Sequence, residues 1–192
     1  MDITTLVIIA LILLYGSWYF AGSIIGRRIM IKVSRGCLEK GFRIKLISPS
    51  SILIESSDNI APHRILKYIG LYIEWLPFEN IFIFPIKYLV RRKPLVVIKM
   101  QFKKEIKAFA DIYVYRDLKD NSEHFYIEKF DLESNKLHSI VALLHGEKLK
   151  RIIISERPSV SIITYMDKEC GEFLNDVLRL ADDIQKVLSA DI

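Results

Sequence analysis

The side chains of this 192-residue chain best able to bind a metal or attack an electrophile are four histidines, His63, His124, His138 and His145, and two cysteines, Cys37 and Cys170. Metal capture needs such groups paired on one face, as in H-E-x-x-H or an i, i+4 histidine pair. None of the histidines is so placed, and His138 and His145 stand seven residues apart. They read as solvated or capping groups. The cysteines lie far apart and in no C-x-x-C arrangement, so neither a zinc ribbon nor a disulfide framework is supported, and both read as ordinary small apolar residues. The eight glycines are scattered rather than gathered into a phosphate-binding loop. G-x-S-x-G is absent, and the acidic pair Asp182-Asp183 falls where a terminal amphipathic helix shows its wet side. No catalytic, cofactor-binding or metal-ligating residue is assigned. The chain is expected to be non-enzymatic, with no cofactor and no small-molecule substrate.

Two stretches carry chemistry of another kind. Arg27, Arg28, Lys32 and Arg35 form a basic collar directly after an uncharged run. At a headgroup layer each such charge is worth about 1 kcal/mol toward an anionic surface. Topology determination alone is a sufficient reason for the collar. The second stretch is aromatic: Trp75, Phe78, Phe82, Phe84 and Tyr88 precede the triplet Arg91-Arg92-Lys93. Apolar rings beside cations suit an element that seeks the membrane interface or a membrane partner. The competing reading is a core helix with a solvated end. The seven cations are therefore candidate membrane or ribosome contacts, and the five rings candidate membrane-interface or partner contacts.

The collar takes its meaning from what precedes it. Ile3 to Gly26 contains no charged side chain. As a helix these residues would extend about 36 Å, enough to cross a hydrocarbon core of about 30 Å with tilt. A cleaved signal would need a positive n-region and a shorter apolar stretch, whereas only Asp2 stands ahead of this one. A permanent anchor over 1–26 is expected. Cations follow the span and none precedes it, so the positive-inside rule places the N-terminus outside and the domain in the cytosol. Tyr15, Trp18, Tyr19 and Phe20 sit toward that end. The expected location is the cell membrane, or the endoplasmic reticulum membrane in a eukaryote, as a single-pass protein.

Beyond the span a basic juxtamembrane helix is expected over 27–41. Ile29, Met30, Val33, Cys37 and Leu38 recur at spacings of three and four, and Gly41 stands in a C′-like position. Gly36 weakens that helix by about 1 kcal/mol relative to Ala. Residues 42–192 read as one α+β domain, a mainly antiparallel sheet with packed helices. Phe42-Leu46 and Ser51-Glu55 suggest a hairpin, with a turn over Asp58-Pro62. Gly70-Trp75 reads as a buried strand, and Pro85-Arg92 as a helix closed by Pro94. Leu95-Phe102 and Ala108-Arg116 look like paired strands around Lys103-Lys104-Glu105. A loop over Asp117-Glu123 leads to a strand over Phe125-Phe130. A short helix over Leu137-His145 and strands over Leu149-Ser155 and Val160-Met166 follow, the last two joined through Arg157-Pro158-Ser159. The chain closes on an amphipathic helix over Glu169-Leu188, with Phe173, Leu174, Val177, Leu178, Ala181, Ile184, Val187 and Leu188 on one face.

The apolar fraction of 51% with 27% charged residues fits a packed core rather than a disordered chain. The net charge of +5 is unevenly spread. From Arg27 to Lys107 there are 17 Lys/Arg against 6 Asp/Glu; from Ala108 to Ile192 there are 11 against 16. The membrane-proximal half is the basic half, suited to anionic headgroups or RNA.

The order of these elements resembles the calumin family, coiled-coil-containing subunits of the PAT complex that works with the Sec translocon on multipass membrane proteins. The likeness lies in a membrane helix and short basic helix, then Gly70-Leu-Tyr-Ile-Glu-Trp75, Leu89-Val-Arg-Arg-Lys-Pro94, Leu95-Val-Val-Ile-Lys-Met100 and Asp111-Ile-Tyr-Val-Tyr115. Lys148-Leu-Lys-Arg-Ile-Ile-Ile-Ser155 and the closing helix Phe173 to Val187 continue it. It is a pattern of elements with few identities, so no individual functional residue is carried over. This chain is shorter between Arg116 and Ile152 and lacks the long basic coiled coil. The resemblance implies a minimal, archaeal relative: a translocon-associated accessory factor whose partners are membrane lipid, the Sec translocon, other small membrane proteins and ribosomal RNA. A membrane-anchored scaffold or anionic-lipid-binding module is the alternative. A membrane-tethered enzyme is the third reading, which a cleft with clustered carboxylates or histidines would revive.

Overall fold

The computed structural model describes residues 2–56, 64–90, 93–104, 109–116, 123–131, 133–146, 150–155 and 159–189. The expected turn over Asp58-Pro62, most of the loops expected at Asp117-Glu123 and Arg157-Ser159, and Glu105 of the turn at Lys103-Glu105 lie outside them, as do His63, Arg91 and Arg92. The order is α1 (Ile3–Leu38), β1 (Arg43–Ser48), β2 (Ser51–Glu55), β3 (Leu66–Glu74), α2 (Ile83–Val90), β4 (Leu95–Phe102), β5 (Phe109–Arg116), β6 (Glu123–Asp131), α3 (Ser134–Gly146), β7 (Arg151–Ser155), β8 (Ser159–Tyr165) and α4 (Cys170–Ser189).

The uncharged run and the basic helix are one element. α1 is unbroken, and among the described residues it is the one helix long and apolar enough to cross a membrane. Its end is fixed by Gly41, at φ 83°. The Phe42 N–H donates to the Cys37 carbonyl at 3.3 Å and the Gly41 N–H to the Leu38 carbonyl at 2.9 Å. This is the bonding of a Schellman cap, whose left-handed residue glycine adopts without steric cost.

Eight strands form one sheet in the order β1-β2-β3-β4-β8-β7-β5-β6. Every strand pair within it is antiparallel. Alternation decides its faces: Ile52 and Ile54, Ile69, Leu71 and Ile73, Val96, Ile98 and Met100, and Val160 and Ile162 are all buried. These residues join Met30 and Cys37 of α1, Ile140 of α3 and the apolar stripe of α4 in one core. On α4 that stripe is the expected one with Leu180 added. Helices α1 and α3 both pack against α4, so the helical layer covers the core face of the sheet.

Two expectations about pairing and extent are corrected. β3 starts at Leu66 rather than Gly70. β4 and β5 do not pair with each other: β4 lies between β3 and β8, and β5 between β7 and β6. Neighbours in sequence usually pair, but here the β7–β8 hairpin sits between them. Bidentate contacts from Arg151 to Asp111, at 2.9 and 2.5 Å, help bind β7 to β5.

The largest correction concerns the cysteines. Cys37 near the end of α1 and Cys170 at the start of α4 form a disulfide, their Cα atoms 5.5 Å apart. Local spacing gave no sign of it because 133 residues separate the pair. Two helices bring it together where their backbones nearly touch. A Cβ built on Gly36 would lie 2.9 Å from the Gly171 nitrogen. The helix-weakening Gly36 is therefore the residue that permits the crossing. Bonds closing long loops stabilise by about 2–4 kcal/mol. Replacing both cysteines with serine should lower the unfolding free energy of the detergent-solubilised chain by about 3 kcal/mol, read from its denaturant midpoint; an unchanged midpoint would show that the bond does not hold the helices together.

Candidate functional site: the β3–β4 connection

Strands β3 and β4 stay paired up to Glu74 and Leu95. A hairpin ending there needs a loop of only about 2–5 residues. Instead the chain leaves the sheet after Glu74, lies against α1 between Phe78 and Phe84, and rejoins the sheet at Leu95. Connections of this length inside a compact domain tend to carry function.

The departure rests on two glycines of α1. Gly22 lies against the backbone of Phe78 and Glu79, so close that any Cβ would collide with the Phe78 carbonyl. One turn on, a Cβ at Gly26 would stand 2.6 Å from the Pro49 carbonyl in the β1–β2 turn. That turn is itself fastened to the connection. The Trp75 N–H donates to the Ser50 carbonyl at 2.8 Å, and the Ser50 hydroxyl donates to Glu79 Oε1 at 2.9 Å. Ser23 Oγ and the other Glu79 oxygen are buried with no hydrogen-bond partner among the described residues.

From Phe78 the chain follows α1 back toward its N-terminus. The Phe82 ring stacks on Tyr15 with centroids 6.2 Å apart, and Phe84 meets Trp18 at 6.1 Å. Going from Gly22 to Tyr15 is a move of about 10 Å along the helix axis. Asn80 then starts the local helix: its Oδ1 accepts from the N–H groups of Phe82 and Ile83 at 3.1 and 3.0 Å. This is N-cap chemistry, and Pro85 is tolerated because it lies in the first turn of α2. Phe84 stacks with Phe78 at 5.3 Å and with Tyr88 at 5.7 Å. On the opposite side, Lys87 Nζ reaches Glu74 Oε1 at 3.0 Å.

The sequence-predicted aromatic set is thus divided. Trp75 is half-buried and packs against the core cluster, in phase with Leu71 and Ile73. Phe78 and Phe84 are half-buried between the connection and α1. Phe82 and Tyr88 are exposed, joined by Ile83, Ile86 and Leu89, with Phe82 at 74%, Ile86 at 65% and Leu89 at 79%. The collar residues Arg27, Arg28, Lys32 and Arg35 are all exposed on α1, away from its buried stripe of Gly22, Gly26, Met30, Ser34 and Cys37. Arg35 lies 3.5 Å from Glu39. Lys93 sits 3.8 Å from Asp167.

Sequence reasoning missed Gly22, Gly26, Ser50 and Glu79. The four-residue spacing of Gly22 and Gly26 within the apolar run is the signal that marks a close-packing face. Elsewhere, burial and the Glu55 carboxylate push the Tyr68 hydroxyl up, and the hydrogen bond to Asp176 pushes the Lys168 ammonium up. Among the described residues no group of three His, Cys, Asp or Glu side chains is arranged to hold a metal ion. No family model and no curated protein matches the chain.

Because backbone faces each Cβ position, Gly22→Val or Gly26→Val should lower stability by about 1–3 kcal/mol, the usual cost of overpacking. Gly16, which faces open space, is the control: Gly16→Ala should cost no thermal stability in detergent and can raise it through helix propensity.

Proposed function

We propose that this chain is a membrane-anchored, non-catalytic accessory factor of membrane-protein insertion, held beside the Sec translocon with its domain on the cytosolic side facing the ribosome. The observation that carries the reading is the passage of α1, without a break, from an uncharged stretch into the core of the domain, with its cations exposed at the junction. A helix seated this way holds its domain at a fixed height and angle over the bilayer, as a factor attached to a translocon requires. The charge asymmetry about the apolar run supports the cytosolic placement. The basic proximal half supports contact with anionic lipid and ribosomal RNA. The order of elements supports kinship with the calumin family: an anchor, a basic extension, β3, a helix closed by Lys93-Pro94, β4, β5, β7 and a closing amphipathic helix.

A second reading, a membrane-anchored scaffold or anionic-lipid module of another complex, is favoured by the exposed apolar side of α2, which lies level with the uncharged part of α1 that precedes the collar. Purification of the full chain from gently solubilised membranes separates the two. The first reading expects translocon subunits and ribosomes in the eluate. An eluate with neither, but enriched in anionic phospholipid, would replace it with the second.

A further inference from the structure

Among the described residues, the outward side of α2 is exposed and carries no ionic side chain. Phe82, Ile83, Ile86 and Leu89 are exposed, while Lys87, the one ionic side chain of the helix, is turned back to Glu74 at 3.0 Å. In water, an apolar patch of this kind is a liability or a binding surface. Its position selects the occupant. Through the pairs Tyr15–Phe82 and Trp18–Phe84, the patch lies at the same level as the second half of the uncharged run of α1. The side chains of α1 at that level, among them Leu14, Tyr19 and Phe20, are apolar and exposed as well. Farther along α1, beyond that level, stand the exposed cations Arg27, Arg28 and Lys32. An apolar band bordered by positive charge complements a molecule with an apolar body and an anionic head.

We infer that Phe82, Ile83, Ile86 and Leu89 lie among phospholipid acyl chains in the leaflet on the domain's side, giving the domain a second, one-leaflet attachment to the bilayer. The inference rests on the reading of α1 as a membrane helix. The chain leaves the sheet after Glu74, dips to Phe82, continues as the short apolar helix α2 beside α1 and re-enters the sheet at Leu95. Two helices then share the domain-side leaflet where one crosses the other leaflet. The backbone polar groups exposed by the dip are met locally: the Asn80 side chain caps α2, and the Asn80 carbonyl accepts from the Phe84 N–H at 2.9 Å.

The test uses the full chain carrying the photoreactive residue p-benzoylphenylalanine at position 82, 86 or 89, reconstituted in vesicles of phosphatidylcholine and phosphatidylglycerol. Position 11 on α1 and position 179 on the exposed side of α4 serve as references. After irradiation, intact-mass spectra should show lipid adducts at 82, 86 and 89 at least fivefold above those at 179 and comparable to those at 11. Adducts at 11 with none above the 179 level on α2 would overturn the inference alone, as would protein–protein adducts in place of lipid on α2. An absence of adducts at 11 as well would overturn it together with the membrane reading of α1.

Discussion

Backbone-to-backbone approach between α1 and the rest of the chain is the constraint on which the structure turns. At Gly22, Gly26 and Gly36 the facing atoms belong to the main chain of Phe78, Pro49 and Gly171, and a methyl group at any of them would push the partners apart. Glycine ordinarily weakens a helix. Here the loss is offset by contacts that span most of the latter half of α1. A helix of this length extends about 54 Å, and pinned at three places it is a strut, not a tether. What α1 does in a bilayer, the domain must follow.

The same pinning explains why the β3–β4 connection can leave the sheet. A long loop rich in Phe, Ile and Leu would ordinarily fold back on the core. Its path is set instead by the polar join of Ser50 with Glu79 and by rings laid against Tyr15 and Trp18. The disulfide acts at the far end of the strut, closing the α1–α4 crossing. Such bonds belong mainly to oxidising compartments, whereas the collar argues for a cytosolic domain. Burial, with Cys37 and Cys170 0% and 1% exposed, protects a formed bond from exchange but does not supply the oxidant that forms it, so the disulfide weighs against the cytosolic placement.

Most elements were legible because each has one strong period. The stripe of α4 and the alternation of β4 are set by burial on one face, and β4 was read to the residue. What was missed depends on chain crossings. Cys37 and Cys170 look inert until α1 meets α4, and β5 looks like the partner of β4 until β7 and β8 come between. Trp75 shares its ring chemistry with the residues that follow it, but its place two residues after Ile73 lays it partly against the core. Gly22 and Gly26 were counted as part of an apolar run, although their spacing describes a contact face. For the candidate site, the rings and cations were legible as types, but their division into inward and outward sets needed the fold.

The account turns on the segment from Phe78 to Phe84 lying along α1. The direct measurement is cross-linking in intact membranes, with a short bismaleimide able to span two side chains whose rings lie 6.2 Å apart, of a full chain carrying Tyr15→Cys and Phe82→Cys, read by mass spectrometry of the linked peptides. The account predicts near-complete cross-linking of the 15–82 pair while the native 37–170 bond stays intact. A chain in which the native bond forms and the 15–82 pair stays unlinked would contradict it.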